Sequence, residues 1–161
     1  MLYRRSFPVL LLLPFGVAVV ALAASTTASA RRETASERLQ RVVDRLRGEL
    51  AIGDSVTATI VPSNPLLVSV APADPAVGNK TFLMSFEEGF LEGLQDDELQ
   101  AIVAHELGHV WIFTHHPYLQ TERLANSVAM RAVTRTSLER VYAKVWARQG
   151  TKGDLAHFLG Q

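Results

Sequence analysis

The sequence predicts an α+β fold: a small antiparallel or mixed sheet, then a buried helix, then a second helix packed against it. Three observations carry this prediction. Between residues 55 and 86 apolar and polar side chains alternate in short runs broken by proline and asparagine, the period of half-buried strands. From residue 87 onward the apolar spacing becomes helical and stays so. The stretch from Leu99 to Trp111 is apolar on nearly every side, which suits a central helix.

The first 30 residues differ from the rest. Arg4 and Arg5 precede an apolar run from Phe7 to Ala24, and Ala28-Ser29-Ala30 follows as a small-x-small cleavage site. This is the make-up of a removable export signal, which would leave residues 31–161 as one domain in the periplasm or outside the cell. The alternative is an uncleaved anchor in the inner membrane, since about 18 apolar residues is the short end of what spans a bilayer. Without the signal the domain is slightly acidic, so no basic face for nucleic acid is implied. The chain has no cysteine, which excludes disulfides and a cysteine-linked lipid.

Thr34 with Glu37 is a capping-box pattern, and Leu39, Val42, Val43, Leu46 and Leu50 follow at helical spacing, predicting a helix over 35–51. Val56, Ala58 and Ile60 predict a first strand, and Leu66, Val68 and Val70 a second. A loop through Pro72, Pro75 and Gly78-Asn79 leads to a third strand over Thr81 to Phe86. A short helix is expected near 87–94. The buried helix starts from a cap at Asp96 or Asp97 and runs to Thr114, where His115-His116-Pro117 ends it. A further helix is expected over 118–134. Thr136 with Glu139 reads as the cap of a last one, which Gly150 closes.

Residues 105–109 read His-Glu-Leu-Gly-His. On a helix, His105 and His109 project from one face, so two imidazoles can meet one ion with Glu106 beside them. A hydrolytic zinc needs a third protein ligand and one open position. If the two helices form a hairpin around residues 115–117, Glu122 comes level with His109 and Asn126 with His105. That makes Glu122 the third ligand and Asn126 the support of the His105 ring. Gly108, Ala125 and Ala129 are small enough to let the helices close up. One Zn2+ per chain, with Glu106 as general base for peptide-bond hydrolysis, is the chemistry implied. The bland reading is a pair of hydrogen-bonded core histidines.

The run from Leu94 to His109, with Asp96-Asp97-Glu98-Leu99 leading into His-Glu-Leu-Gly-His, resembles the active-site helix of gluzincin metallopeptidases, most nearly the HtpX and CAAX-prenyl-protease-like family. There the third ligand lies in an E-x-x-x-D pattern, which Glu122-Arg123-Leu124-Ala125-Asn126 resembles with asparagine in the aspartate place. The resemblance covers roughly residues 55–135. It implies a zincin-like fold, a protein or peptide substrate, and a sheet edge near Thr81–Phe86 that takes substrate as an added strand. Twelve residues separate His109 from Glu122, a shorter stretch than the family's. That implies an open cleft, or one completed by a partner.

Tyr142, His115 and His116 are the candidates for contacting substrate or the developing oxyanion. Tyr142 also fits an apolar core stripe, and the two histidines also suit a helix C-terminus. His157 reads as exposed, Trp111 and Trp146 as core, and Arg123, Arg131, Arg135, Arg140 and Arg148 as a solvated face. Two rival functions remain open at this point. One is a zinc-stabilised binding or scaffold protein of the cell envelope without turnover. The other is a membrane-anchored subunit active only in a complex.

Overall fold

The computed structural model describes residues 33–74 and 81–160. The predicted signal or anchor over 1–30, and the Pro75 and Gly78-Asn79 part of the long loop, lie outside the described residues. None of the helices described is long and apolar enough to cross a membrane.

Helix α1 (Ala35–Glu49) starts on the expected capping box: Thr34 accepts the Glu37 N–H, and the Glu37 carboxylate accepts the Thr34 N–H at 2.8 Å. It buries Leu39, Val42, Val43 and Leu46. Strands β1 (Ser55–Val61), β2 (Val68–Pro72) and β3 (Thr81–Glu87) follow. Their order is β1-β3-β2, with β1 parallel and β2 antiparallel to β3, so the sheet is mixed. The strand placed in the middle is the one whose Phe82, Met84 and Phe86 are almost fully buried.

The strand over Thr81–Phe86 is itself central, with both its sides paired, so the sheet edge near it belongs to a neighbouring strand. The outer side of β1 is occupied by α1. The Gln40 side chain accepts the Ala58 N–H at 2.8 Å and donates to the Val56 carbonyl at 3.0 Å, an amide standing in for a neighbouring strand. Among the described strands this leaves β2 as the edge turned toward the helices.

Helix α2 (Glu88–Glu92) is short. Helix α3 (Asp96–His115) is the buried one, with Ala101, Val103, Ala104 and Leu107 fully out of solvent. Its cap is Gln95, not Asp96 or Asp97. Glu98 reaches back to accept the Gln95 N–H at 2.7 Å, which leaves both aspartates free to turn outward to arginines.

The helix expected over 118–134 is broken. Pro117–Leu119 forms a single 3-10 turn, Gln120 and Thr121 are extended, and α4 (Glu122–Ala129) begins when Thr121 accepts the Leu124 N–H. Helix α5 (Arg135–Gln149) is capped by Thr134 in place of Thr136, through the Ser137 N–H. Gly150 ends it at φ 65°, a left-handed position that glycine adopts without strain.

A last helix, α6 (Leu155–Leu159), has no counterpart in the sequence reading, because five residues are too few to show a period. It is capped by Asp154, which accepts the Ala156 N–H at 2.9 Å.

Candidate metal centre

Helix α3 carries His105 and His109 one turn apart, and α4 carries Glu122 at its first residue. The two helices touch backbone to backbone: a Cβ built on Gly108 would lie 2.4 Å from the Ala125 carbonyl oxygen. Only this approach lets a glutamate reach both rings. Its Oε2 lies 3.2 Å from His105 Nε2, its Oε1 lies 3.4 Å from His109 Nε2, and the two ring nitrogens are 3.2 Å apart. Among the described residues these three form the group able to hold a metal ion. Glu122 also sits at a helix N-terminus, where the dipole favours negative charge.

The remaining ring nitrogens are both held by amides. His105 Nδ1 meets Asn126 Oδ1 at 2.8 Å, and His109 Nδ1 meets Gln120 Oε1 at 3.1 Å. An amide oxygen can only accept, so each Nδ1 carries the proton and each Nε2 keeps its lone pair for the common point. Two lone pairs and a carboxylate facing one another call for a positive charge between them. Four-coordinate zinc with bonds of about 2.0–2.1 Å separates its ligand atoms by about 3.3 Å, close to the spacing here. The donor set therefore fits zinc. Gln120 was missed by the sequence reading, since a lone glutamine in a turn carries no motif.

The site favours positive charge. Contacts with His105 and His109 hold the Glu122 carboxyl well below the usual carboxylate range, against the opposing effect of burial. Burial pulls His109 down, but bonds to Glu122 and Gln120 and the charge of Glu106 outweigh it and leave the ring raised. Glu106 is almost wholly buried, and burial pushes its carboxyl up although both histidines pull the other way.

Asn126 is completely buried, and its NH2 group donates to the Tyr142 hydroxyl at 2.7 Å and to the Phe158 carbonyl at 3.0 Å. The Tyr142 hydroxyl in turn donates to Glu122 Oε2 at 3.3 Å. Tyr142 is thus not only a core residue. Burial first, and then the charges of Glu122 and Glu106, raise its pKa, so it remains a donor at neutral pH.

His115 and His116, the other two candidates, do not line the cavity. They finish α3 instead: the His115 ring stacks on Trp111 with centroids 4.6 Å apart and donates from Nδ1 to the Trp111 carbonyl at 2.9 Å, and His116 tilts against the same indole. Trp146, read as core, lines the cavity. The arginine face is paired as well as solvated, since Arg140 meets Asp97, Arg148 meets Glu87 at 3.2 Å and Arg135 meets Glu139 at 2.8 Å. His157 is exposed, as expected.

A cavity of about 630 Å³ opens onto these donors. One wall is β2 from Val68 to Pro72, the floor is α3, and the opposite wall is Val141, Val145 and Trp146 of α5 with Phe158 of α6. Behind the short segment before Glu122, α5 and α6 of the same chain supply that wall of the cleft.

A His-Glu-x-x-His helix joined by a glutamate from the next helix, beside a sheet edge and a cavity, defines a zincin-like metallopeptidase. A model of peptidase family M48 matches residues 33–160, and the chain belongs to that family. In fold it is similar to the metallopeptidase zymogen abylysin of Pyrococcus abyssi, with a TM-score of 0.51 at 13% identity over 72% of this chain and 99% of that one. No curated protein matches it.

Proposed function

We propose that the chain is an exported zinc-dependent endopeptidase in which Glu106 is the general base. One observation carries the reading: His105 Nε2 and His109 Nε2 lie 3.2 Å apart, one Glu122 oxygen lies 3.2 Å from the first and the other 3.4 Å from the second, and both outer ring nitrogens are tied to amide oxygens. Bound zinc would supply a water of pKa near about 7 and polarise the scissile carbonyl. Glu106 takes the proton of the attacking water and returns it to the leaving amine. Tyr142 donates its hydroxyl proton to Glu122 Oε2, and turning that proton from Glu122 to the substrate would let it meet charge developing on the carbonyl oxygen.

The edge position of β2 supports the endopeptidase part of the proposal. An extended peptide added to that edge is held by main-chain hydrogen bonds, which ask for no free terminus, and lies along the wall of the same cavity. Export rests on the residue pattern of positions 1–30. A mature N-terminus at Arg31 in protein recovered outside the cytoplasm is the expected result, and an intact N-terminus would remove that part.

The test of the whole is Glu106→Gln. It should keep close to one zinc per chain and lose at least about a hundredfold in hydrolysis of a peptide library, as expected for removal of a general base. Unchanged cleavage in this variant would sink the mechanism. A wild-type protein that binds zinc and cleaves nothing would favour a scaffold.

A further inference from the structure

We propose that the backbone carbonyl of Phe158, in the C-terminal helix α6, is a positioning group for the metal centre: it sets the orientation of the Asn126 amide and through it the tautomer of His105. The inference rests on the reading of His105 as a ligand. A side-chain amide has an accepting end and a donating end, and a half-turn exchanges them. With oxygen toward His105, Nδ1 must carry the proton and Nε2 is free to ligate. With nitrogen toward His105, Nδ1 must accept, the proton moves to Nε2, and ligation is blocked.

Asn126 is completely buried, and its other protein partners settle the choice. The Tyr142 hydroxyl at 2.7 Å can donate or accept and so decides nothing by itself. The Phe158 carbonyl at 3.0 Å can only accept. It requires the NH2 end, and the oxygen is left for His105 at 2.8 Å. Glu122 pushes the same way through Tyr142, but over a longer contact of 3.3 Å and with a carboxylate that a metal would occupy. The Phe158 carbonyl holds its role with or without metal.

The tail is built to stay in place. Arg135 donates to the next two carbonyls, Leu159 at 3.5 Å and Gly160 at 2.9 Å, so three successive carbonyls are taken by side chains. Leu159 is buried, the Phe158 ring lies 5.3 Å from that of Tyr142, and a Cβ on Gly153 would meet the Trp146 indole at 2.2 Å.

The same contact explains why residue 126 is an asparagine here. An aspartate would satisfy His105 equally well, but it has no proton for Phe158 and would set two acceptors about 3 Å apart, an uncompensated buried contact. Asn126 and the docked tail go together.

The decisive measurement needs no variant. Nitrogen-15 NMR of the full-length, metal-free protein at a pH where His105 is neutral should show it as the Nδ1–H form; a predominant Nε2–H form overturns the proposal. Deleting residues 154–161 should mix the two forms and weaken zinc binding, read by chelator competition, by about tenfold or more. A folded deletion variant that binds zinc as tightly as the full chain with His105 unchanged also overturns it. If the deletion unfolds, the full-length Asn126→Asp variant decides: it should release the tail, read as a change in Trp146 emission, and a tail still docked overturns the proposal. A wild type that binds zinc through His105 without hydrolysing peptides would end the enzymatic reading and leave this one standing.

Discussion

Gly108 of α3 and Ala125 of α4 are in backbone contact, with the Ala125 Cα 2.9 Å and its carbonyl oxygen 2.4 Å from where a Gly108 Cβ would sit. Glu122 is placed by this contact. Gly108→Ala would ordinarily gain about 1 kcal/mol of helix propensity. Here the clash is with main chain that cannot rotate away, and overpacking of this kind costs about 1–3 kcal/mol or more. We expect net destabilisation of about 2 kcal/mol by chemical denaturation, together with weaker zinc binding. A variant as stable as wild type would show that the helices can part freely.

Glu122→Ala tests the ligand set itself. The variant should lose zinc by more than the roughly 10–100-fold that follows loss of an outer partner. Chelator competition against Glu106→Gln, which should retain its zinc, separates the ligand from the base.

Gln120→Ala should weaken zinc about tenfold, because Gln120 both fixes His109 Nδ1 at 3.1 Å and donates to the His109 carbonyl at 3.3 Å. The fold should be unaffected, since Gln120 is an exposed turn residue. Unaltered affinity would assign the His109 tautomer to some other group.

Glu98 gives a pH dependence. Burial pushes its carboxyl up, but Lys144 Nζ at 2.6 Å and the Gln95 N–H at 2.7 Å outweigh burial and lower it below the ordinary 4.5. A lowered carboxyl contributes stability that is present above the unfolded value and lost as pH falls through the folded one. Glu98→Gln should therefore cost about 1–2 kcal/mol at neutral pH, allowing for the partly exposed Lys144. The difference from wild type should shrink steadily as the medium is taken below 4.5. Denaturation in the presence of chelator keeps metal release out of the comparison, and a gap that does not change with pH would refute the assignment.

The parts of this protein that were legible in its residue order are those with a local signature. The Thr34–Glu37 box, the switch from a period of two to a helical period, and the five-residue spacing of His105, Glu106 and His109 each lie within one or two turns of chain. Glu122 and Asn126 came within reach because a helical hairpin has a simple register, even though the second helix begins later than expected. The errors fall where local signals compete: Thr134 and Thr136 are both good caps, and only packing of α5 chooses between them.

By itself, then, the sequence determined the class of fold and that His105, Glu106, His109 and Glu122 come together, since each follows from helical geometry over short separations. The tertiary structure alone decided that β2 is an edge among the described strands, that Gln120 and Tyr142 reach the site, and that the last helix meets Asn126. Strand order is set by which apolar face is buried deepest, and an amide's orientation by its partners. For Asn126 those partners lie 16 and 32 residues further along the chain, too far for any periodicity to register.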